Sequence, residues 1–212
     1  MRDIPVFSTQ LGVASLTLSQ IPYTRKAYVR IQDTAAGEEF LRECVSFCKM
    51  AGAEAVYASN HAACESHPYA TAIIAMQADK ASIGTTDGCL FPVTKATLEA
   101  WREIYNQKVV SVPNGAWMTL QNAEEMLRQG SGYFVHRDGC LLGIGKVSGN
   151  QVEWVASVQP GGGETVVKAL CHAISEDTVT LEVADTNEKA ISLYRKLGFV
   201  PTKMVSQWYK IG

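Results

Sequence analysis

The sequence predicts an α/β (α+β) protein in which helices flank a mixed, mostly antiparallel central sheet. Three observations predict this class. A strand pattern at Thr178–Ala184 leads directly into an amphipathic helix pattern at Asn187–Phe199. A second helix pattern, Val166–Ile174, follows a strand pattern at Gln151–Val158. An Asp-Gly pair at residues 138–139, between two alternating stretches, is a strong signal for a β-hairpin of antiparallel strands.

The first half of the chain shows the same kinds of pattern. Alternating apolar residues predict strands at Gly12–Leu18, Ala27–Gln32, Ala53–Ser59 and Tyr69–Met76. Between the second and third of these strands, Glu38–Met50 is predicted to be a helix because its apolar residues recur on one face. Those residues are Phe40, Leu41, Cys44, Val45 and Cys48.

We place a domain boundary near residue 81, which gives predicted domains 1–81 and 82–212. In the second domain the predicted order is helix, helix, three antiparallel strands, helix, strand, helix, strand, strand. The first of these helices is predicted to begin at Pro92. The two closing strands are predicted around Val200 and at Ser206–Ile211.

Composition and charge narrow the classes of function. Of the 212 residues, 47% are apolar and 19% charged, and the formal charge is −2. The chain has no excess of basic residues, so a nucleic-acid partner is not expected. It has no apolar run near the length of a membrane span, so no association with a membrane is expected either. The first ten residues lack the long apolar stretch of a signal peptide, so we expect a cytoplasmic protein with reduced thiols. No metal is expected, because Cys44 and Cys48 have no second close pair.

The helix pattern at Asn187–Phe199 is the most informative stretch. Thr186 or Asn187 can cap its start, because each side chain offers an oxygen to the free N–H groups of the first turn. Gly198 can end it, because glycine adopts the left-handed C-terminal conformation without strain. The apolar residues on one face are Ala190, Ile191, Leu193, Tyr194 and Leu197.

This stretch resembles the C-terminal signature of the GNAT superfamily of CoA-dependent N-acyltransferases. The residues that carry the resemblance are Asn187, Ala190, Leu193, Tyr194, Lys196, Gly198 and Phe199. The predicted element order over roughly Gly88–Gly212 is also that of the family. The resemblance implies the GNAT fold, acetyl-CoA as cosubstrate without a metal, and an amine of a small molecule or peptide as acceptor. A plain amphipathic helix with Tyr194 as a core aromatic is the alternative interpretation.

The resemblance also implies roles for particular residues. Tyr194 matches the family's general acid, which protonates the sulfur of the departing CoA. Asn187 matches a position that commonly contacts the cofactor. In the family, the strand before the glycine loop diverges from its neighbour, pairs with the pantetheine arm and directs one N–H at the thioester oxygen. The matching residues here are Val155, Ala156, Ser157 and Val158.

A glycine-rich loop precedes the helix pattern at Val166. Gly161, Gly162 and Gly163 allow a sharp turn and a close approach of the backbone to a ligand. The helix start beyond them suits a pyrophosphate, and the resemblance implies that this loop, with Glu164 and Thr165, holds that of CoA. The loop is about two residues shorter than is usual in the family and lacks its arginine. A glycine-rich turn without a ligand is therefore the alternative.

The general base is predicted less directly. Glu153 is the nearest carboxylate on the central strand. Regular alternation groups Glu153 with Val155 and Ser157, opposite Trp154, whereas a bulge in this strand would change that grouping. The alternatives are His136 at a strand end, or a water relay beside a solvent-facing Glu153.

An internal repeat relates the two halves of the chain. A shift of 126 residues lays Gly37 on Gly163 and the strand beginning at Ala55 on that beginning at Leu181. The correspondence ends after Ser59, and Pro68 falls at the position of Tyr194. We therefore predict duplication of one unit, with a degenerate GNAT-like first half that serves a structural purpose.

Three interpretations of the function follow from these patterns. The first is N-acetyl transfer from acetyl-CoA to a primary amine by direct attack. The second is a non-catalytic CoA- or metabolite-binding module, because the phosphate loop is incomplete; a fold used only for protein contact is a third interpretation. The sequence is compatible with a homodimer.

Overall fold

The structure is a computed structural model that describes residues 5–110, 112 and 115–212. The chain divides into two compact units. The first ends at Ile73 and also includes Met204–Gly212, and the second is Ile74–Lys203. This division differs from the predicted domains 1–81 and 82–212, in which the C-terminal residues belong to the second domain. The reason is strand pairing, because the last strand of the chain hydrogen-bonds to a strand of the first unit.

The first unit holds a sheet with the strand order β1-β2-β3-β4-β11, in which β11 is Val200–Lys210, the last strand of the chain. β1 to β3 pair antiparallel, β3 and β4 pair parallel, and the end of β11 pairs antiparallel with β4. The helix α2 packs on one face through the predicted apolar residues Phe40, Leu41, Cys44 and Cys48, all buried. The elements are β1 (Val6–Ser8), β2 (Gly12–Thr17), α1 (Ile21–Thr24), β3 (Lys26–Thr34), α2 (Gly37–Met50), β4 (Ala55–Ser59) and the start of β5 (Tyr69–Asp79).

The second unit holds a sheet with the order β5-β10-β9-β8-β7-β6, in which β6 to β9 pair antiparallel and β9 and β10 pair parallel. Helices flank this sheet, so the predicted fold class is confirmed. The elements are β6 (Cys89–Pro92), α3 (Leu98–Val109), α4 (Leu120–Gln129), β7 (Gly132–Arg137), β8 (Cys140–Ser148), β9 (Gln151–Ser157), α5 (Gly163–His172), β10 (Thr178–Ala184), α6 (Glu188–Lys196) and β11 (Val200–Lys210).

Two cores lie against the second sheet. α3 and α4 pack around Trp101, Phe134 and Ile144 in one cluster. α5 and α6 contribute to the other, which includes Leu170 and Phe199. The side chains of β9 are divided between these clusters, because Trp154 packs with the first and Val155 with the second. β9 is therefore a central strand that reaches both cores.

The ends of the second unit differ from the prediction. The predicted helix forms, but its predicted start at Pro92 and Thr94 is wrong. Cys89–Pro92 is the edge strand β6, and the helix begins only at Leu98. Proline is tolerated there, since an edge strand does not require every backbone N–H for the sheet. The two predicted closing strands form the one continuous strand β11. The hairpin is confirmed, with positive φ angles of 52° at Asp138 and 76° at Gly139.

The corresponding helices of the two predicted repeat units begin 126 residues apart, which is the shift that the sequence predicted. α2 begins at Gly37 and α5 at Gly163, 126 residues later. β1-β2-β3-β4 and β7-β8-β9-β10 share the same sequence of pairings, antiparallel, antiparallel and then parallel. After β4 the chain forms a 3₁₀ turn, Ala62–Ser66, where the second unit has α6 after β10. Duplication itself stays a prediction.

Candidate active site

Strands β9 and β10 separate shortly after they begin to pair. They pair at Thr180↔Gln151 and Leu181↔Val152, yet β9 continues to Ser157 and β10 to Ala184. A regular parallel ladder would continue with evenly spaced hydrogen bonds. Residues 153–157 of β9 and 182–184 of β10 therefore lie beyond this pairing. We call the region between these unpaired carboxyl ends the slot; ligands bind at this edge of open α/β sheets.

In the C-terminal half of β9, some backbone N–H groups point toward this slot. The N–H of Val158 donates to the carbonyl of Leu142 on β8 at 2.8 Å. Backbone N–H groups alternate in direction along a strand, so those of Val155 and Ser157 point away from β8 and toward the slot. Of the four residues predicted to contact acyl-CoA, Ala156 and Val158 instead direct their N–H groups at β8.

A β-bulge interrupts β9 at Glu153. Lys146 lies opposite Trp154 and Val147 opposite Val152, so Glu153 has no partner in the ladder. The bulge places the Trp154 ring against Tyr105 of α3, with ring centroids 4.3 Å apart, while Val155 packs on the other face. The grouping of Glu153 with Val155 and Ser157 by regular alternation is therefore wrong, since the bulge shifts the alternation by one residue.

Glu153 follows the last residue of β9 that pairs with β10, at the narrow end of the slot. Its carboxylate forms an ion pair with the Nζ of Lys146. Burial raises the pKa of Tyr105 to about 12, and the nearby Glu153 carboxylate adds to that rise. Sequence reasoning missed Lys146 and the proximity of Tyr105, because both depend on strand register and helix packing.

His136, the alternative base, lies elsewhere. It is on β7, which β8 separates from β9, so the two strands are about 10 Å apart. Its Nδ1 is buried without a hydrogen-bond partner in the described part of the chain. Its ring packs edge-on against Phe91 at 5.0 Å.

The three glycines shape the turn from β9 into α5. Gly161 has a φ of +80°, which favours glycine. A Cβ at the buried Gly162 would lie 3.1 Å from the Ser157 Oγ, tighter than most such contacts. Gly163 begins α5, whose first turn has no side-chain cap. Its free N–H groups therefore form the anion-binding end of a helix dipole.

Glu164 lies in this first turn and pairs with two lysines. Its carboxylate is 2.5 Å from the Nζ of Lys196 and 3.0 Å from that of Lys168. The hydrogen bonds from Lys196 and then Lys168 hold the pKa of Glu164 below its usual range. Two cations outweigh one carboxylate here, so the start of α5 carries net positive charge, and Lys196 links it to α6.

Tyr194 lies on the buried face of α6. It is 7% exposed, and its ring centroid is 5.8 Å from that of Phe199. Burial raises the pKa of its phenol to about 12, with a smaller contribution from the Cys171 thiol. The ring belongs to the core, as the alternative interpretation expected, while the phenol is fully protonated near neutral pH and can act as an acid.

Both ends of α6 form as predicted. The Asn187 Oδ1 accepts a hydrogen bond from the Ala190 N–H at 3.2 Å, so Asn187 rather than Thr186 is the cap. Gly198 has a φ of +89°, and the Phe199 N–H donates to the Tyr194 carbonyl at 2.9 Å. The contact of Asn187 with a cofactor stays a prediction.

Comparison with solved structures decides the fold family. A conserved Staphylococcus epidermidis protein of unknown function aligns with a TM-score of 0.61 at 10% identity, covering 98% of this chain and 93% of that chain. A GNAT-family acetyltransferase from Colwellia psychrerythraea aligns with a TM-score of 0.54 at 12% identity, covering 97% and 84%. A tandem GNAT protein of the clavulanic acid biosynthesis pathway aligns with a TM-score of 0.55 at 13% identity, covering 95% and 79%.

The chain has the GNAT fold. Residues 157–209, which include the glycine loop and α6, also match the family model described as FR47-like protein. A search of curated protein sequences finds no significant match. The resemblance to the GNAT superfamily, predicted from Asn187–Phe199, is thus confirmed at the level of the fold.

Asn106, which sequence reasoning missed, anchors the described residues Ala116–Met118 that precede α4. Asn106 is 4% exposed. Its Nδ2 donates to the Met118 carbonyl at 3.1 Å, and its Oδ1 accepts from the Met118 N–H at 2.8 Å. The Tyr105 hydroxyl donates to the Ala116 carbonyl at 3.0 Å. These bonds hold the segment beside the helix that packs against Trp154.

Replacing Asn106 with alanine is expected to lower the free energy of unfolding by about 2–4 kcal/mol, because it leaves the buried Met118 N–H without its acceptor. Urea unfolding of the variant and wild type measures this loss. Asn122→Ala, at an exposed position of α4, is the matched control and is expected to change stability by less than about 0.5 kcal/mol. Equal effects in the two variants would contradict the anchoring role.

The raised pKa of Tyr194 predicts a loss of stability in alkali. The native phenol, with a pKa of about 12, keeps its proton between pH 10 and 12, whereas the unfolded phenol loses it. The contribution of this phenol to the free energy of unfolding is unchanged below pH 10 and is lost as the pH rises from 10 to 12. Between pH 8 and pH 11, wild type is expected to lose about 1.4 kcal/mol more unfolding free energy than Tyr194→Phe. If wild type and Tyr194→Phe lose the same free energy of unfolding between pH 8 and pH 11, the raised pKa of Tyr194 is contradicted.

Neither a metal-binding cluster nor a membrane-spanning helix is found in the regions that the structure describes. No group of three or more His, Cys, Asp or Glu residues there could hold a metal ion. No helix within those regions is long and apolar enough to cross a membrane. All six cysteines are free thiols; Cys44, Cys48, Cys64 and Cys171 are buried, and Cys89 and Cys140 are exposed.

Proposed function

We propose that this chain is an N-acyltransferase that moves the acetyl group of acetyl-CoA to a primary amine of a small molecule or peptide. The observation that carries the proposal is the divergence of β9 and β10 after two residue pairs. The slot adjoins a glycine turn and the positively charged start of α5. The structural likeness to GNAT acetyltransferases supports the same activity.

The slot would bind acetyl-CoA as an extra strand. The pantetheine amides pair with the free edge of β9, and the N–H of Val155 or Ser157 donates to the thioester oxygen. Such a donor stabilises the negative charge that develops on this oxygen during attack. The free N–H groups at the start of α5, with Lys168 and Lys196 beside Glu164, attract the pyrophosphate. Thr165 and Asn187 lie at the starts of the two helices that border this region.

Glu153 and Tyr194 would move the protons. The Glu153 carboxylate takes a proton from the acceptor ammonium, directly or through one water. The freed nitrogen then bonds to the thioester carbon and releases its second proton to solvent. The carbon–sulfur bond then breaks, and the Tyr194 phenol donates its proton to the departing sulfur. Solvent returns a proton to Tyr194 and removes one from Glu153. Tyr105 and Trp154, which pack together beside Glu153, would form the wall that the acceptor approaches.

The first unit would be a degenerate GNAT-like unit without an acyl-CoA slot. β3 and β4 pair without interruption from Lys26↔Ala55 to Arg30↔Ser59. All five residues of β4 pair with β3, so β4 has no counterpart to the unpaired end of β10 beside which a pantetheine arm would lie. One acetyl-CoA per chain is therefore expected by calorimetric titration, and two equivalent sites would contradict the assignment. We further propose that the protein works in the cytoplasm.

The direct test is to supply acetyl-CoA and a panel of primary amines and peptides and to measure free CoA with a thiol reagent. Amine-dependent CoA release is the expected result. The alternative function is a non-catalytic CoA-binding module, favoured by the short loop without an arginine. Thermal stabilisation by acetyl-CoA without CoA release across the panel would support the alternative. Absence of both stabilisation and release would contradict both functions.

A further inference from the structure

The first unit contains a polar pocket that the acyl-transfer site does not use. It has a volume of about 390 Å³ and lies at the carboxyl end of β4, where the parallel pairing of β4 with β3 ends at Arg30↔Ser59. Its lining includes Arg30, Ser59, His61, Glu65 and Gln207. Carboxyl ends of parallel strands are where α/β sheets place ligand crevices. The volume lies at the small end of the range for ligand sites, so a small occupant is expected.

Ser59 carries the argument that this pocket is built for a ligand. Its side chain is 2% exposed, and its Oγ has no hydrogen-bond partner among the residues that the structure describes. A buried hydroxyl without a partner costs free energy, so proteins rarely keep one without a use. Ser59 is the last residue of β4 and lies directly opposite Arg30 of β3. A ligand oxygen or nitrogen in the pocket would supply the missing partner.

The charged groups of the pocket indicate the chemistry of the ligand. The exposed Arg30 guanidinium has no ion-pair or hydrogen-bond partner in the described ranges, which leaves its donors open to a carboxylate. Glu65, on the 3₁₀ turn after β4, supplies the opposite charge. The His61 Nδ1 accepts from the Ala63 N–H at 3.1 Å, so the neutral ring carries its proton on Nε2 as a further donor.

We propose that this pocket binds a small zwitterion, an α-amino acid, whose carboxylate pairs with Arg30 and whose ammonium pairs with Glu65. The Ser59 hydroxyl completes the site with a hydrogen bond to the ligand. A ligand with both charges neutralises both side chains. A simple anion would pair with Arg30 but would leave the negative charge of Glu65 unpaired beside it. This second site is separate from the acetyl-CoA slot, because all its lining residues belong to the first unit.

The test uses the full chain and the twenty common amino acids, each added singly at about 10 mM in a thermal unfolding assay. An amino acid that binds with a dissociation constant of about 1 mM is expected to raise Tm by about 3–5 °C. The amide of the best ligand lacks the carboxylate, and its deaminated acid lacks the ammonium. Both are expected to bind at least about tenfold more weakly, because each lacks one ion pair.

Three variants and one control variant separate the proposed contacts from effects on folding. Arg30→Gln and Glu65→Gln are each expected to weaken binding at least about tenfold in calorimetric titration. Arg25→Gln, at an exposed arginine of the same unit, is the matched control and should bind as wild type does. Ser59→Ala is expected to weaken binding about two- to tenfold while leaving the Tm of the free protein unchanged or higher, because no native hydrogen bond is lost.

Several results would overturn the proposal. These are no Tm shift with any amino acid, equal binding of the deaminated acid, or full affinity in Glu65→Gln. Loss of acetyl-CoA binding in Arg30→Gln would assign the pocket to CoA instead. Tyr194→Phe distinguishes this site from the proposed transferase site, since amino-acid binding should be unchanged in that variant even where acyl transfer is lost.

Discussion

Replacing Tyr194 with phenylalanine is expected to lower kcat by about 10²–10³-fold and to change the affinity for acetyl-CoA less than about twofold. Phenylalanine keeps the ring that packs against Phe199 and removes only the hydroxyl. Without that acid, CoA must leave as an unprotonated thiolate, which slows cleavage of the carbon–sulfur bond. Steady-state rates of CoA release and calorimetric titration with acetyl-CoA measure the two quantities.

The leaving group offers a sharper readout for Tyr194. An acyl donor whose thiol has a low pKa needs little protonation, so the deficit of Tyr194→Phe should shrink with such a donor. Tyr133→Phe is the matched control, because Tyr133 packs in the same core cluster and has no proposed proton-transfer role. An equal loss in both tyrosine variants, or a deficit independent of the leaving group, would contradict the general-acid assignment.

Replacing Glu153 with glutamine is expected to lower kcat/KM by about 10²-fold at neutral pH. Glutamine keeps the size of the side chain but cannot accept the proton of an acceptor ammonium. The deficit should shrink as the pH approaches the pKa of the acceptor amine, about 10 for an alkyl amine, because the amine then arrives deprotonated. A pH–rate profile of wild type and variant measures this difference.

The ion pair with Lys146 requires a control of its own. Lys146→Met removes the partner of Glu153 while leaving the carboxylate in place. If Glu153 acts as a base, Lys146→Met should retain most of the activity that Glu153→Gln loses. Glu103→Gln, at an exposed position of α3, should behave as wild type. A deficit of Glu153→Gln that is the same at every pH would contradict the base assignment.

Local patterns predicted local structure well. The cap at Asn187, the left-handed Gly198 and the apolar face between them each depend on residues within one or two helical turns. The hairpin at residues 138–139 likewise depends on two adjacent positive φ angles. These features follow from side-chain geometry and backbone conformation, which the sequence states directly.

Non-local pairing explains the features that were missed. β6 is four residues long and contains Pro92, so it has little strand signal of its own and forms by pairing with β7. The bulge at Glu153 depends on the register between β8 and β9. The Lys146 partner depends on that same register. The pattern of apolar residues along β9 does not determine the register between β8 and β9.

The sequence by itself determined where α6 begins and ends, which face it buries, and that Tyr194 lies on that face. It also determined the glycine turn before α5. Only the tertiary structure decided that β9 and β10 pair over two residues whereas β3 and β4 pair over five. Helix ends are set by hydrogen bonds within a few residues. The spacing of parallel strands is set by packing between segments far apart in the chain, and that spacing alone creates the slot.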